Sequence, residues 1–567
     1  MIKCIGRFWK FCLYEKRRYY IMKKQLFHWK RIGCLLIMIA MVCTFTACGQ
    51  ADASGDNVNT AGNSTGANIV NIGVTNTLNS LNPLLMDGGE VNKYATGLMF
   101  LPLCELTEDM SFEGLLADSI TTEDNLTFTV HIDEAATWSD GQPVTAEDVA
   151  YTALRIASPV VGNTAMMYYV FEGVGEDGFV EAGAETVAGI CAVDEKTVQF
   201  TTKNPMSLVT FQNSYARYLM PLPKHIISQY SEDELKTAEW FQRPDVVSGP
   251  YMVTEYDADH YISYTANEQY WKGTPKIEKL NIRIVDSSQL YAGLQSGEID
   301  ITHHTMSTIP QEDYESIEAL ENIDVVYGMP VINQSVFIQT QTVTDVRVRQ
   351  AMLCAINREQ ILEQLLGGQG EIVDGYLSSA SPYYDTSVTP TSYDPERAKE
   401  LLAEAGWDGS QTLRFYVNSG DSTFVNAASV IVAQWAAVGI KAEIQTVDFA
   451  TLMSVAGTNE YDILAVQYTY PPVDPYADLA WLMSGEGSWT GYGEESVVTA
   501  LNSTQTEMNA DKLKELYSIV TKKVQEDVPM ISAYIISPQG AVNKRLVGAK
   551  PSVYGFFNHV HEWEITQ

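Results

Sequence analysis

The chain has 567 residues, 46% of them hydrophobic and 10% aromatic, which is more than one core usually organises; two or three domains are expected, and a disordered or fibrous chain is excluded. Its 36 basic and 71 acidic residues give a net charge of −35, although ten of the basic residues and a single acid, Glu15, fall within the first 48 positions. The remainder repels phosphate backbones, so nucleic acid is excluded as a partner.

Gly33 to Phe45 is an uncharged apolar run behind Lys23, Lys24, Lys30 and Arg31. It is too short to span about 30 Å of hydrocarbon comfortably, and it reads as the hydrophobic stretch of a signal peptide covering residues 1–47. Met22 would open a conventional signal and is an alternative start. The run ends in Phe45-Thr46-Ala47-Cys48, which looks like a lipobox, so Cys48 is expected to carry lipid and to become the first residue of the mature protein. Residues 48–66, rich in Gly, Ser, Asn and Asp, are expected to form a flexible tether. Beyond them only Cys104, Cys191 and Cys354 remain, scattered and odd in number, which builds neither a disulfide framework nor a zinc site.

From Asn68 onward strands and amphipathic helices mix. Strand-like runs include Ile69 to Val74, Leu126 to Ile132, Thr197 to Thr201 and Tyr261 to Thr265. Thr145-Ala146-Glu147-Asp148 has the form of a capping box that opens a helix to about Ile156. A further helix starts at Asp345, with Val348, Ala351, Met352 and Ala355 on one face. Asp394-Pro395 places an N-cap and an N1 proline ahead of the stripe Ala398, Leu401, Leu402 and Ala405, and Gly406 stands at the stop. This alternation gives an α/β or α+β fold with more than one sheet.

The same segments carry a family resemblance. Trp138-Ser139-Asp140-Gly141-Gln142-Pro143-Val144-Thr145-Ala146-Glu147-Asp148-Val149 resembles a signature of the extracytoplasmic solute-binding proteins that feed peptide- and nickel-type ABC importers (family 5). Leu81-Asn82-Pro83, Leu222-Pro223-Lys224-His225, Ser248-Gly249-Pro250-Tyr251, Asn267 with Tyr270-Trp271, the stretch Leu294 to Asp300, Asp345 to Ala351, and Tyr393-Asp394-Pro395 to Gly406-Trp407 match in order, from residue 67 to the end. The resemblance implies an α/β, two-lobed fold of the periplasmic-binding-protein kind (class II type), with an extra subdomain at about 105–240 in the N-terminal lobe. The implied N-terminal lobe covers 67–328, the C-terminal lobe 329–535, and a return segment 536–567. The chain would cross outward near Met329 to Gln341 and back near Ile531 to Gly540. Closure of such lobes desolvates a small ligand and strengthens each polar contact.

Candidate ligand contacts follow. Asp87-Gly88-Gly89 stands where resembling receptors pair a strand with an extended ligand, and the glycines would allow close backbone approach; it also reads as a plain surface turn. His303 and His304 follow the Gly297 to Asp300 segment, where related receptors face the cleft. Neighbours in an extended segment point to opposite sides, so the pair is a poor metal clamp. Tyr468, Tyr470 and Trp481 offer flat faces suited to a sugar, an aromatic group or a cation, and they serve equally well as filling for the second lobe. Asp474 is a further polar candidate beside them. In peptide-binding relatives an Asp three positions before the Asp/Glu-Pro pair takes the peptide ammonium. Here Pro471 holds that place, and it offers no side-chain acceptor, so peptides with a free amino terminus are expected to bind weakly.

Gly173-Val174-Gly175-Glu176-Asp177-Gly178 satisfies a nucleotide-loop pattern, yet its two carboxylates oppose a pyrophosphate, so it is read as a loop. No HExxH, GxSxG, Walker A or CxxC occurs. The expectation is a lipid-anchored, extracytoplasmic, monomeric receptor of an ABC importer. It performs no catalysis, needs no cofactor or metal, and hands an oligopeptide or related small solute to the transmembrane permease subunits. The alternatives are a secreted carbohydrate-active hydrolase using Asp474, and a nickel or metal-chelate receptor within the same family.

Overall fold

Ile69–Val74 is buried along most of its length and pairs in parallel with Lys279–Ile284 on one side and Ile301–Thr302 on the other, so it lies inside a sheet. The structure, a computed structural model, describes residues 68–566 apart from 87–88, 167, 420–421 and 486. The signal segment, Cys48, the tether, Asp87 and Gly88 therefore lie outside the described residues. Among the described residues no helix is long and apolar enough to cross a membrane.

The first sheet has seven strands in the order Ile323–Tyr327, Gln539–Asn543, Ile301–Thr302, Ile69–Val74, Lys279–Ile284, Tyr261–Ala266 and Tyr251–Asp257. A strand from the end of the chain, Gln539–Asn543, thus sits between two strands from its middle. The second sheet has six, in the order Gly370–Glu371, Met530–Ile536, Ile332–Ile338, Ile463–Thr469, Thr412–Asn418 and Lys441–Val447. It is covered on both faces. Val336 and Ile338 pack with Phe415, Trp435 and Ile531, while the alternate residue Phe337 packs with Leu464, Tyr470 and Ile535 on the opposite side. These two sheets are the centres of the two lobes.

A smaller antiparallel sheet (Ala117–Thr122, Thr127–Ile132, Thr197–Thr201, Ile190–Ala192) carries the helix Ala146–Ile156. Here the capping box forms as its spacing requires: Thr145 Oγ1 accepts from Asp148 N at 3.3 Å, and Asp148 Oδ2 accepts from Thr145 N at 2.9 Å. Trp138 is fully buried and its Nε1 donates to the same carboxylate at 3.4 Å. The longest family-like stretch is therefore a structural device that ties a helix to its sheet. Asp345 and Asp394 likewise cap Val346–Cys354 and Pro395–Ala405, and Gly406 ends the latter in the left-handed region at φ 68°. Gly173 to Gly178 is a turn-rich loop, with Gly173 and Gly178 at positive φ.

The chain passes from the first sheet to the second through 328–331 and returns through 537–538. These two links touch, for Gly328 N donates to Pro538 O at 2.8 Å.

Candidate functional site

A cleft of about 680 Å³ opens where the links join the two sheets. From the first lobe it is lined by His304, Thr305, Ser307, Thr308, Tyr314 and Gln539, from the second by Gln334, Asn418, Thr423, Gln467 and Tyr468, and at the return link by Pro538. Local structure explains how Gln334 reaches it. The pairing of Ile332–Ile338 with Met530–Ile536 slips at this point: Gln334 faces Tyr534 but Ser335 faces Ser532, leaving Ala533 as an extra residue. Such a bulge re-aims a side chain beside a site.

Of the residues singled out from the sequence, the cleft brings together His304 and Tyr468. Tyr468 accepts from Ser335 Oγ at 3.4 Å and stacks on Tyr376 with ring centres 6.0 Å apart; burial raises its phenol far above the ordinary value. His304 Nε2 stands 2.9 Å from Val326 O, and a carbonyl only accepts, so Nε2 carries the proton. Burial also lowers the imidazole, and the ring is neutral.

The adjacent His303 points the other way. It is fully buried against Tyr94 and Phe556, with ring centres at 5.1 and 4.8 Å, and its Nδ1 accepts from Thr305 N and Met306 N. The two imidazoles cannot share one ion from opposite sides of the chain. Tyr470 is a core residue: its hydroxyl engages Ser378, and its carbonyl accepts from Tyr554. Trp481 packs on Trp489 at 4.6 Å and stands outside the cleft lining. Gly89 caps the helix Glu90–Gly97 in extended conformation.

Asp474 also lies outside the lining, buried where the lobes meet. Its Oδ1 accepts from Thr210 Oγ1 of the first lobe at 3.2 Å, and Asn213 also bonds the carboxyl. Burial, helped by the charge of Asp478, pushes the carboxyl up to about 7.

Gln334 and Gln539 are not singled out by the sequence reading. A signal exists for the first, since Asn333-Gln334-Ser335 puts three polar residues in a buried, otherwise apolar strand. Gln539 gives no such sign, because its neighbours Tyr314 and Tyr327 lie more than 200 positions away.

Residues 111–490 match the family described as "Bacterial extracellular solute-binding proteins, family 5 Middle". The chain belongs to this family of solute-binding proteins. A family 5 relative, the oligopeptide-binding protein AppA of Bacillus subtilis, is 24% identical over 492 residues, which cover 82% of this chain and 86% of the relative. The dipeptide-binding protein of Escherichia coli is 27% identical over 398 residues, 67% of this chain and 71% of that one. The solved structure of the ABC transporter substrate binding protein CtaP from Listeria monocytogenes shares the two-lobed fold. It superposes with a TM-score of 0.74 at 23% identity, covering 88% of this chain and all of that one.

Proposed function

We propose that this family 5 protein is the lipid-anchored, extracytoplasmic receptor of an ABC importer, which captures a peptide or peptide-like solute between its lobes and passes it unchanged to the permease. The observation that carries the reading is the polar cleft at the two links, lined from both lobes. The names of the AppA and dipeptide-binding relatives support peptide as the solute class. The sequence of the signal and Phe45-Thr46-Ala47-Cys48 supports the anchor. In this reading the N-terminal lobe is built on the first sheet and the C-terminal lobe on the second, and His304 and Tyr468 meet the ligand.

Native mass spectrometry of the protein after incubation with two tetrapeptide libraries, one with free ends and one N-acetylated and C-amidated, tests the proposal. The expected result is bound peptide, recovered with its mass unchanged. Cleaved peptide, or no bound mass from either library and none co-purifying from cells, would defeat it. The anchor is tested separately by labelling cells with a fatty-acid analogue: label should enter wild type and be absent from Cys48→Ala.

A further inference from the structure

Two side chains in the cleft point to the kind of ligand it takes. Gln539, 1% exposed, donates through Nε2 to Tyr314 O at 3.4 Å and to Tyr327 Oη at 3.2 Å. Tyr314 O can only accept, and the Tyr327 hydroxyl gives its own proton to Glu318 Oε1 at 2.7 Å. Both hydrogens of the amide are thus committed, its orientation is fixed, and Oε1 is left buried with no partner. Gln334, also 1% exposed and held at the bulge, has its Oε1 in the same condition. Two buried acceptors in one cleft lack a donor, a state that native interiors avoid unless something else supplies it.

Charge narrows the class further. Among the described residues the lining holds no Lys or Arg; its one carboxylate, Glu312, is exposed at the rim, and His304 is neutral. A ligand carboxylate brought between the lobes would lose water and meet no cation.

We propose that the cleft selects an uncharged ligand presenting N–H or O–H donors, accepted by Gln334 Oε1 and Gln539 Oε1, and discriminates against a free carboxylate. The inference rests on reading the cleft as the ligand site. Amide N–H groups of a peptide whose ends are blocked, and hydroxyls of a neutral sugar, supply the same chemistry.

Calorimetry on the wild-type protein separates the cases with three probes: N-acetylated, C-amidated tetrapeptides, the same tetrapeptides with a free C-terminal carboxylate, and maltotetraose. The expected result is that a neutral probe binds and that a free carboxylate weakens binding by about tenfold or more. Gln539→Met and Gln334→Met, each verified as folded by thermal melting, should each weaken the neutral probe by about tenfold. Equal or tighter binding of the carboxylate peptides overturns the inference and leaves the peptide reading standing. Binding of maltotetraose alone supports the inference and overturns the peptide reading. Silence from all three probes, or unchanged affinity in both variants, overturns the inference.

Discussion

Asp474 couples the lobe boundary to pH. Its folded value near 7 lies above that of an unfolded carboxyl, about 4. The protonated form is therefore favoured by folding; its stabilisation is complete below about pH 4 and is lost as pH rises toward 7. Tyr215, Tyr383, Tyr476 and Tyr517 surround the group, and Asp478 is the charge that reinforces the shift. The difference in unfolding free energy between wild type and Asp474→Asn should fall by roughly 1 kcal/mol per pH unit across that window. Urea melts at four pH values measure it, and a difference that ignores pH would refute the assignment. A second buried acid behaves oppositely. Burial alone would raise Glu105, but Arg217, whose guanidinium lies 2.9 Å away, and Lys93 outweigh it and hold the carboxylate charged. Burial and the charge of Arg217 in turn push Lys93 down to about 8. Glu105→Gln strands two buried cations, and the expected loss is about 3–5 kcal/mol by urea unfolding; a loss under about 1 kcal/mol would show that the cations find other partners.

Among the elements, the outgoing link and the returning strand pack closely on one imidazole. A Cβ built on Gly328 would stand 2.7 Å from His304 Nδ1, and its three nearest atoms all belong to that ring; one on Gly540 would stand 2.4 Å from Pro551 Cβ and 2.7 Å from His304 Cδ2. The imidazole is thus clasped between the outgoing and returning strands. Gly328→Ala should cost about 1–3 kcal/mol by overpacking, and less in a His304→Ala background. A double-mutant cycle measures the coupling, and strict additivity would mean that the strain is relieved elsewhere. The caps at Thr145, Asp345 and Asp394 were legible in the sequence because each uses residues within four positions of one another. The packing of His304 was not, since Gly328 and Gly540 reach it from 24 and 236 positions away.

At the scale of the whole molecule, the two-lobed fold was legible because signature segments recur in order along the chain. Which side chains line the cleft was much less so: Tyr468 and His304 were named, while His303 and Tyr470 turned inward by strand alternation and core packing that spacing alone does not decide. Sheet order has a temporal corollary. The second sheet is assembled wholly from residues 332–536, whereas the first has Gln539–Asn543 wedged between Ile301–Thr302 and Ile323–Tyr327. Arg545 then closes on Asp300 at 2.8 Å. A chain emerging from its amino end can complete the later-numbered lobe while the earlier one still waits for its missing strand. A fragment stopping at residue 536 should keep slow amide exchange in Ile332–Ile338 and Ile463–Thr469 and lose it in Ile69–Val74. The part of the protein made first is thus the part finished last, because its sheet lacks an inner strand until roughly the final thirty residues are added.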